Sequence, residues 1–219
     1  MLNEIIVVLL VATLVLFIIT REAVERISHN HYEQKSDFYA HHVASPKDIV
    51  FYGDSITDGA NWHELFPGLP VKGRGINNDS STGVLNRIQN TLNGHPRAIF
   101  ILIGTNDLPL MEYRSDPKIL GTYEDILKKC KELSPETKVF VQSILPRKKN
   151  FAARIQGLNV ELKKLAGKYD YTYIDLFSHF ATPEGQMRDD LTNDHLHLMS
   201  TGYDIWVEIL TPYIKTLMK

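Results

Sequence analysis

The sequence predicts an α/β protein in which helices cover both faces of a parallel sheet, behind a hydrophobic N-terminal helix. Short apolar runs alternate with stretches that carry apolar residues at three- and four-residue steps. Such alternation implies right-handed crossovers between parallel strands. The chain has 219 residues, of which 43% are hydrophobic and 23% charged, so it can form one well-cored domain after its N-terminal segment.

The N-terminal segment is the most apolar part of the chain. Ile5–Ile19 is an unbroken run of fifteen residues that are apolar except for Thr13. With its neighbours the run approaches the roughly 20 residues that span a bilayer. It lacks the basic n-region and the small-x-small cleavage site of a signal peptide, so residues 1–20 are predicted to be an uncleaved membrane anchor. The shortness of the run leaves a buried or oligomer-forming helix as the alternative.

A stalk or linker over residues 21–45 is predicted between this anchor and a single domain over residues 46–219. Arg21, Arg26 and Lys35 follow the apolar run while no Lys or Arg precedes it. The positive-inside rule therefore favours a cytoplasmic domain, but three cations leave the side of the membrane open. The segment also contains four histidines: His29, His31, His41 and His42. No acidic or cysteine ligand set accompanies them, so no metal site is predicted.

Five strands and four helices are predicted in the domain. The strands are Ile49–Tyr52, a weaker one at Val71-Lys72, Ala98–Ile103, Val139–Ile144 and Tyr171–Ile174. The helices are Gly83–Leu92, Ile119–Leu133, Ala153–Lys168 and one that begins near Thr201. The apolar stripe of the last helix is interpreted as core against the sheet rather than as a ligand cage.

Charge and cysteine content exclude some classes of protein. A net charge of −2 gives no general attraction to nucleic acid, so no nucleic-acid partner is expected. Cys130 is the only cysteine, which excludes an intrachain disulfide. Its helical, apolar neighbours make it a core thiol rather than a nucleophile.

The segment around Ser55 is the strongest candidate for chemistry. A run of apolar residues from Ile49 is halted by Gly53 and followed by Asp54 and Ser55, which indicates a buried strand that turns sharply into a helix. Such a serine faces the crevice where open α/β sheets bind ligands, beside the free N–H groups of the helix start. Asp and Ser also favour plain helix caps, so this segment alone leaves both interpretations open.

A histidine near the C-terminus can serve as the base. Asp194 precedes His197 by three residues, and a tight turn lets the carboxylate orient the imidazole while the other ring nitrogen faces Ser55. His195 is the alternative base, but Asp194 is its direct neighbour and adjacent side chains tend to diverge. The predicted catalytic residues are therefore Ser55, Asp194 and His197.

Further loops follow predicted strands at the same sheet edge. Asn106 can donate its side-chain amide to a developing oxyanion, and the absence of a Cβ at Gly75 lets a backbone N–H approach the same oxygen. Together with the Ser55 N–H group they form the predicted oxyanion hole. Asn77, Asn78 and Arg147 lie in polar loops near this site and are candidate substrate-binding residues.

Four sequence blocks together resemble the SGNH/GDSL hydrolases. In chain order they are Gly53–Gly59, Arg74–Ile76, Gly104–Asp107 and Asp194–His197. The layout from Ile49 onward is most similar to bacterial relatives of the platelet-activating-factor acetylhydrolase α-subunits and to carbohydrate O-acetylesterases. The resemblance implies a three-layer α/β/α, flavodoxin-like sandwich.

The resemblance also implies roles for individual residues. Ser55, Gly75, Asn106 and His197 fill the four family positions, and Asp194 completes the triad. Asn78 is a departure, because relatives often carry a glycine at its position. Asn tolerates a left-handed backbone better than most residues, so the turn can survive the change.

The expected activity is hydrolysis of short-chain, acetyl esters of a carbohydrate or another polar alcohol, through an acyl-enzyme and without metal or organic cofactor. Short, polar connections between the blocks leave no inserted segment to build a large apolar groove for a lipid chain. Two alternatives use the same residues: a membrane-tethered O-acyltransferase and a lysophospholipase-type lipid esterase. A catalytically dead binding module is disfavoured because all five residues are present. The sequence leaves the oligomeric state undetermined.

Overall fold

The computed structural model describes residues 2–108 and 114–219. Five strands form one parallel sheet in the order β2-β1-β3-β4-β5. This is the flavodoxin-like order of a doubly wound sheet, so the predicted fold class is confirmed. The strands are β1 (Ile49–Gly53), β2 (Val71–Gly75), β3 (Ala98–Leu102), β4 (Lys138–Gln142) and β5 (Thr172–Ile174).

Helices lie on both faces of this sheet, and the four predicted in the domain are present with small changes at their ends. The helix predicted to start at Ser55 is also present, as a single turn, whereas two further short helices, at Trp62–Leu65 and Phe177–Phe180, gave no periodic signal. The helices are α1 (Leu2–His41), α2 (Ser55–Asp58), α3 (Trp62–Leu65), α4 (Ser81–Leu92), α5 (Asp116–Leu133), α6 (Ala152–Lys168), α7 (Phe177–Phe180) and α8 (Ser200–Leu217).

The alternation of side chains along each strand divides the hydrophobic core between the two faces. Val50 and Tyr52 of β1 join one cluster, which also holds the buried thiol of Cys130. Phe51 joins the other cluster, in which Trp206 of α8 is buried. Successive residues of a strand point to opposite faces, so one five-residue strand contributes to both cores. The interpretations of Cys130 and of the α8 stripe as core are confirmed.

The helix α1 continues without a break from the apolar run through the segment predicted as a stalk. Its last third lies against the domain. Tyr32 Oη donates to the carbonyl of Gly83 (2.9 Å), and Lys35 Nζ pairs with Asp58 Oδ1 (2.9 Å). Tyr39 is buried. The end of the 21–45 segment is thus in direct contact with the domain, while the boundary at residue 46 stays a prediction.

Candidate active site

Ser55 lies on the turn between β1 and α2, at the carboxyl edge of the sheet. Gly53 ends β1 where any side chain would collide, because an added Cβ would lie 2.2 Å from the carbonyl oxygen of Leu102. Asp54 caps α2 by accepting a hydrogen bond from the backbone N–H of Ile56 (3.0 Å). Ser55 is the first residue of α2, and the first N–H groups of a helix have no intrahelical partner. The local sequence therefore exposes both a hydroxyl and free backbone donors at this edge.

The structure brings three of the predicted residues into one hydrogen-bonded chain. Ser55 Oγ lies 3.0 Å from His197 Nε2, and His197 Nδ1 lies 2.7 Å from Asp194 Oδ2. The other carboxylate oxygen, Oδ1, accepts from the backbone N–H groups of His197 (2.8 Å) and Leu196 (2.9 Å). A base in contact with a hydroxyl, itself oriented by a carboxylate, is the arrangement that activates a serine nucleophile.

The electrostatics of Asp194 suit that orienting role. Burial by itself raises the pKa of this carboxyl group, but hydrogen bonds from the side chain and backbone of His197 and from the Leu196 N–H outweigh it and lower the pKa to about 2. Asp194 is therefore ionised at neutral pH. An ionised carboxylate at Nδ1 holds the proton on that nitrogen and leaves Nε2 free to accept the proton of Ser55.

His195, the alternative base, points elsewhere. Its backbone adopts a left-handed conformation with φ of 60°, and its Nδ1 lies 3.6 Å from Asp189 Oδ1. Of the two histidines, His197 is the one within hydrogen-bonding distance of Ser55. The turn of Asp194 through His197 is itself built by local hydrogen bonds, including His195 N–H to Thr192 Oγ1 (3.0 Å).

Gly75, the last residue of β2, is packed directly against α2. A Cβ at this position would lie 2.1 Å from the backbone nitrogen of Asp58 and 2.7 Å from the carbonyl oxygen of Asp54. Both atoms belong to the backbone of the Ser55 turn. The absence of a side chain at Gly75 therefore allows the β2 edge and the Ser55 turn to meet, as a shared oxyanion site requires.

Asn106 lies in the 3₁₀ turn Thr105–Asp107 that follows β3. Its Nδ2 donates one hydrogen to the backbone carbonyl of Asp79 (2.9 Å). A primary amide carries two hydrogens on this nitrogen, so the bond to Asp79 fixes the plane of the amide and leaves one N–H for a ligand. The side chain is half-buried, as expected at the wall of a crevice.

Three buried charged residues hold these loops together, and two of them, Asp79 and Arg87, were not singled out from the sequence. Arg87 Nε pairs with Asp79 Oδ2 (2.8 Å), while Arg87 Nη2 donates to the carbonyl of Gly53 (2.9 Å). The third, Asp107, accepts from both the backbone N–H and the hydroxyl of Ser81 (2.9 and 2.8 Å). Asp79 and Arg87 are eight residues apart, on either side of the start of α4, so no local sequence pattern predicts that they pair. Each meets its partners only when the sheet has formed.

Asp54, which caps α2, has a perturbed carboxyl group. Burial raises its pKa to about 7, with the charges of Asp79 and Asp107 adding to the effect and the hydrogen bond from Ile56 opposing it. Its Oδ2 has no hydrogen-bond partner among the described residues. The nucleophile turn therefore carries a carboxyl group that gains or loses its proton near neutral pH.

The three predicted substrate-binding residues are placed differently from one another. Arg147 Nη1 donates to the carbonyl of Thr105 (3.2 Å), beside the Asn106 turn. Burial lowers the pKa of its guanidinium group, and the negative charge of the nearby Asp194 partly offsets this by raising it. Asn77 is exposed. Asn78 has the expected left-handed backbone, with φ of 62°, and its amide donates to Ser28 Oγ on α1 (3.1 Å). Their roles in binding stay predictions.

One protein family covers most of the chain. Residues 51–205 match the profile of the GDSL-like Lipase/Acylhydrolase family. The chain belongs to that family. The match includes Ser55, Gly75, Asn106, Asp194 and His197, and it makes this protein a GDSL-type acylhydrolase, an enzyme that hydrolyses carboxylic esters.

Individual members of the family share most of the chain. The rat platelet-activating factor acetylhydrolase IB subunit alpha1 is 28% identical over 179 residues, which are 74% of this chain and 75% of that protein. A solved structure from Streptococcus pneumonia, described as a platelet activating factor, has a TM-score of 0.81 at 26% identity and covers 90% of this chain and 98% of its own. An acylhydrolase structure from Bacteroides fragilis has a TM-score of 0.71 at 27% identity and covers 78% and 88%.

The described residues offer no obvious metal centre to this GDSL acylhydrolase. Residues 2–108 and 114–219 contain no group of three or more His, Cys, Asp or Glu side chains arranged to hold a metal ion. Two histidines of α1 face acidic residues of the same helix: His29 faces Glu33 (3.3 Å) and His41 faces Asp37 (3.3 Å).

Proposed function

We propose that this GDSL acylhydrolase is a serine esterase that removes short acyl groups, above all acetyl, from a carbohydrate or another polar alcohol. The observation that supports the mechanism is the chain of hydrogen bonds from Ser55 through His197 to Asp194, at 3.0 and 2.7 Å. In this proposal Ser55 Oγ attacks the ester carbonyl while His197 Nε2 takes its proton. His197 then gives that proton to the departing alcohol, and a water molecule hydrolyses the acyl-enzyme by the same path in reverse.

The oxyanion is assigned to three donors. They are the backbone N–H groups of Ser55 and Gly75 and the second amide hydrogen of Asn106, which its bond to Asp79 leaves available. Each such donor typically contributes about 3 kcal/mol to stabilisation of the transition state. Nucleophile, base and oxyanion donors all come from the chain itself, so the proposed reaction calls on no cofactor.

The exposure of the catalytic histidine supports a short acyl group. His197 is 47% exposed, as in an open crevice. A long acyl chain gains roughly 0.8 kcal/mol for each CH₂ that it buries, and that gain needs a deep apolar groove. The relatives named as acetylhydrolases point to the same acyl class.

A probe and a substrate series test this proposal. A fluorophosphonate should label the wild type and the control variant Ser178→Ala, an exposed serine on α7, but not Ser55→Ala. With p-nitrophenyl acetate, butyrate, octanoate and palmitate, kcat/KM should fall as the chain lengthens. A steady rise through octanoate would replace the short-acyl proposal with a lysophospholipase-type activity. Product analysis with a glycan acceptor would reveal an acyltransferase instead.

The first half of α1 is proposed to be a membrane anchor. Among the described residues, one helix is apolar and long enough to cross a bilayer, with a mean hydropathy of 2.5, and it lies near the N-terminus. Its large apolar side chains from Ile5 to Ile19 are 46 to 66% exposed, a surface that water disfavours and lipid accepts. A signal sequence would pass the same test. Intact-mass measurement of the protein from the membrane fraction decides, because an anchor retains residues 1–20 and a signal sequence loses them.

A further inference from the structure

The contacts between α1 and the β2 edge show in which direction the anchor leaves the domain. Near the C-terminal end of α1, Tyr39 Oη donates to the carbonyl of Gly75, the last residue of β2 (2.8 Å). Eleven residues earlier in the helix, Ser28 Oγ accepts from Asn78, which lies beyond the end of that strand (3.1 Å). The helix therefore runs antiparallel to β2, and its N-terminal half extends past the carboxyl edge of the sheet.

The other end of the contact agrees with this direction. Arg74, one residue before the end of β2, donates through Nη2 to the carbonyl of His42, just after the helix (2.6 Å). A Cβ on Gly94, after the end of α4, would lie 1.7 Å from the carbonyl oxygen of Ala44. Since α4 begins at the carboxyl edge and runs toward the amino edge, Ala44 lies near the amino edge, and α1 approaches the domain from the opposite side.

The carboxyl edge is also the edge that carries Ser55, Asn106 and His197. Anchor and catalytic crevice are thus on the same side of the domain. Thr20 directly follows the apolar run, and Ser28 lies eight residues after it. At a rise of 1.5 Å per residue, Ser28 is therefore about 12 Å along the helix from the end of the run. A headgroup layer is about 5 to 8 Å deep on each side of the hydrocarbon core. The rim of the crevice at Asn78 therefore lies within the reach of a sugar-sized headgroup from the lipid surface.

The helix is held firmly enough to keep this direction. It is unbroken from Leu2 to His41, and the contacts of Tyr32, Lys35 and Tyr39 attach its last third to three elements of the domain. A cavity of about 360 Å³ lies between Asn78 and the side of α1 that begins at Phe17, so the crevice rim and the end of the apolar run face each other.

We propose that α1 orients the domain so that the catalytic crevice faces the membrane in which the apolar half of α1 lies. The substrate is then an amphiphile in that same membrane, with its short acyl ester on the polar headgroup rather than on the lipid chain. This inference rests on the proposed anchor and, for the substrate, on the proposed esterase function. Orientation and activity are measured separately, so that failure of one is distinguishable from failure of the other.

The orientation is tested without any substrate. Full-length protein in phosphatidylcholine nanodiscs carries one fluorophore on an introduced cysteine. The cysteine is either Lys149→Cys, near the crevice, or Glu136→Cys, which precedes β4 at the amino edge. The native Cys130 is buried and stays unlabelled. The two edges of a five-residue strand are about 17 Å apart. A quencher on the lipid headgroups should quench Lys149→Cys more strongly. Equal quenching, or stronger quenching of Glu136→Cys, overturns the orientation.

The substrate is tested by lengthening the helix. An in-phase helical insertion of 18 residues between Glu22 and Ala23 raises the crevice by about 27 Å and leaves every contact from Ser28 onward in place. Turnover of a bilayer-embedded amphiphile with an acetylated sugar headgroup should fall at least tenfold, and p-nitrophenyl acetate turnover should not change. A control carries the same segment after Lys219. Equal turnover of the embedded ester by the lengthened and control proteins overturns the inference. If the wild type hydrolyses neither the embedded ester nor p-nitrophenyl acetate, the proposed function itself is overturned.

Discussion

Replacing Gly75 by alanine tests whether the contact between β2 and the Ser55 turn positions the nucleophile. The new Cβ would lie 2.1 Å from the nitrogen of Asp58, 2.6 Å from its Cα and 2.7 Å from the carbonyl oxygen of Asp54. An ordinary contact begins at 3.4 Å, so the backbone of α2 must move by about 1.3 Å, the difference between 3.4 and 2.1 Å. Because these are backbone atoms, no side chain can rotate away to relieve the collision.

That movement displaces Ser55, the first residue of α2, from its 3.0 Å contact with His197. A misplacement of about 1 Å costs roughly 100-fold in rate, and overpacking costs about 1 to 3 kcal/mol of stability. Alanine keeps the backbone N–H of Gly75, so a loss of activity reports the displaced turn rather than a deleted oxyanion donor. We expect kcat/KM for p-nitrophenyl acetate to fall about 100-fold and the labelling rate by a fluorophosphonate to fall with it.

The matched control is Gly121→Ala. Gly121 lies in α5, and a Cβ there meets no atom within 4 Å. This variant should keep wild-type activity and gain about 0.5 to 1 kcal/mol in the free energy of unfolding, measured in urea. Wild-type activity in a folded Gly75→Ala protein would refute the argument that β2 and the Ser55 turn must meet without a side chain between them.

Three further substitutions test the remaining parts of the site. Asn106→Ala should lower kcat by about 100-fold or more with little change in KM, since its free N–H acts on the transition state; an effect on KM alone would move it to the substrate pocket. Asp194→Asn should lower kcat by about 10⁴-fold because the proton on His197 Nδ1 is no longer fixed, and near-normal turnover would show that the carboxylate is dispensable. Asp54 has a native pKa raised from 3.8 to about 7, so the folded state binds the extra proton and loses stability as pH rises from about 4 through 7. Asp54→Asn should flatten that decline when the free energy of unfolding is measured at pH 5 and pH 8, and parallel profiles would contradict the raised pKa.

Local sequence patterns were sufficient for the elements whose signals lie within a few residues. The apolar run into Gly53 predicted the buried strand and the sharp turn at Ser55, because a central parallel strand is apolar on both faces. The three-residue step from Asp194 to His197 likewise predicted their contact within one turn. At Asn78 the family resemblance was needed as well: relatives often carry a glycine there, and Asn is one of the few other residues that tolerate the left-handed backbone that the structure shows.

Other features depended on packing between distant parts of the chain. The sequence favoured His197 over His195 as the base, but the contact of His197 with Ser55, across a separation of 142 residues, depends on the folded position of the loop before α8. The bond from Asn106 to the carbonyl of Asp79 joins two loops that follow different strands. A backbone carbonyl has no residue identity, so no sequence pattern could assign it as a partner.

The helix α1 shows the same division in a single element. Composition alone determined that its first half is apolar enough to cross a membrane, because that property is a sum over residues. That the last third packs on the β2 edge, with Tyr39 buried against Gly75, was decided by the tertiary structure. Isolated aromatic and charged side chains on a polar helix look like a solvated surface until a partner surface is in place. The direction in which the apolar half of α1 leaves the domain therefore follows from the fold and not from the sequence of the helix.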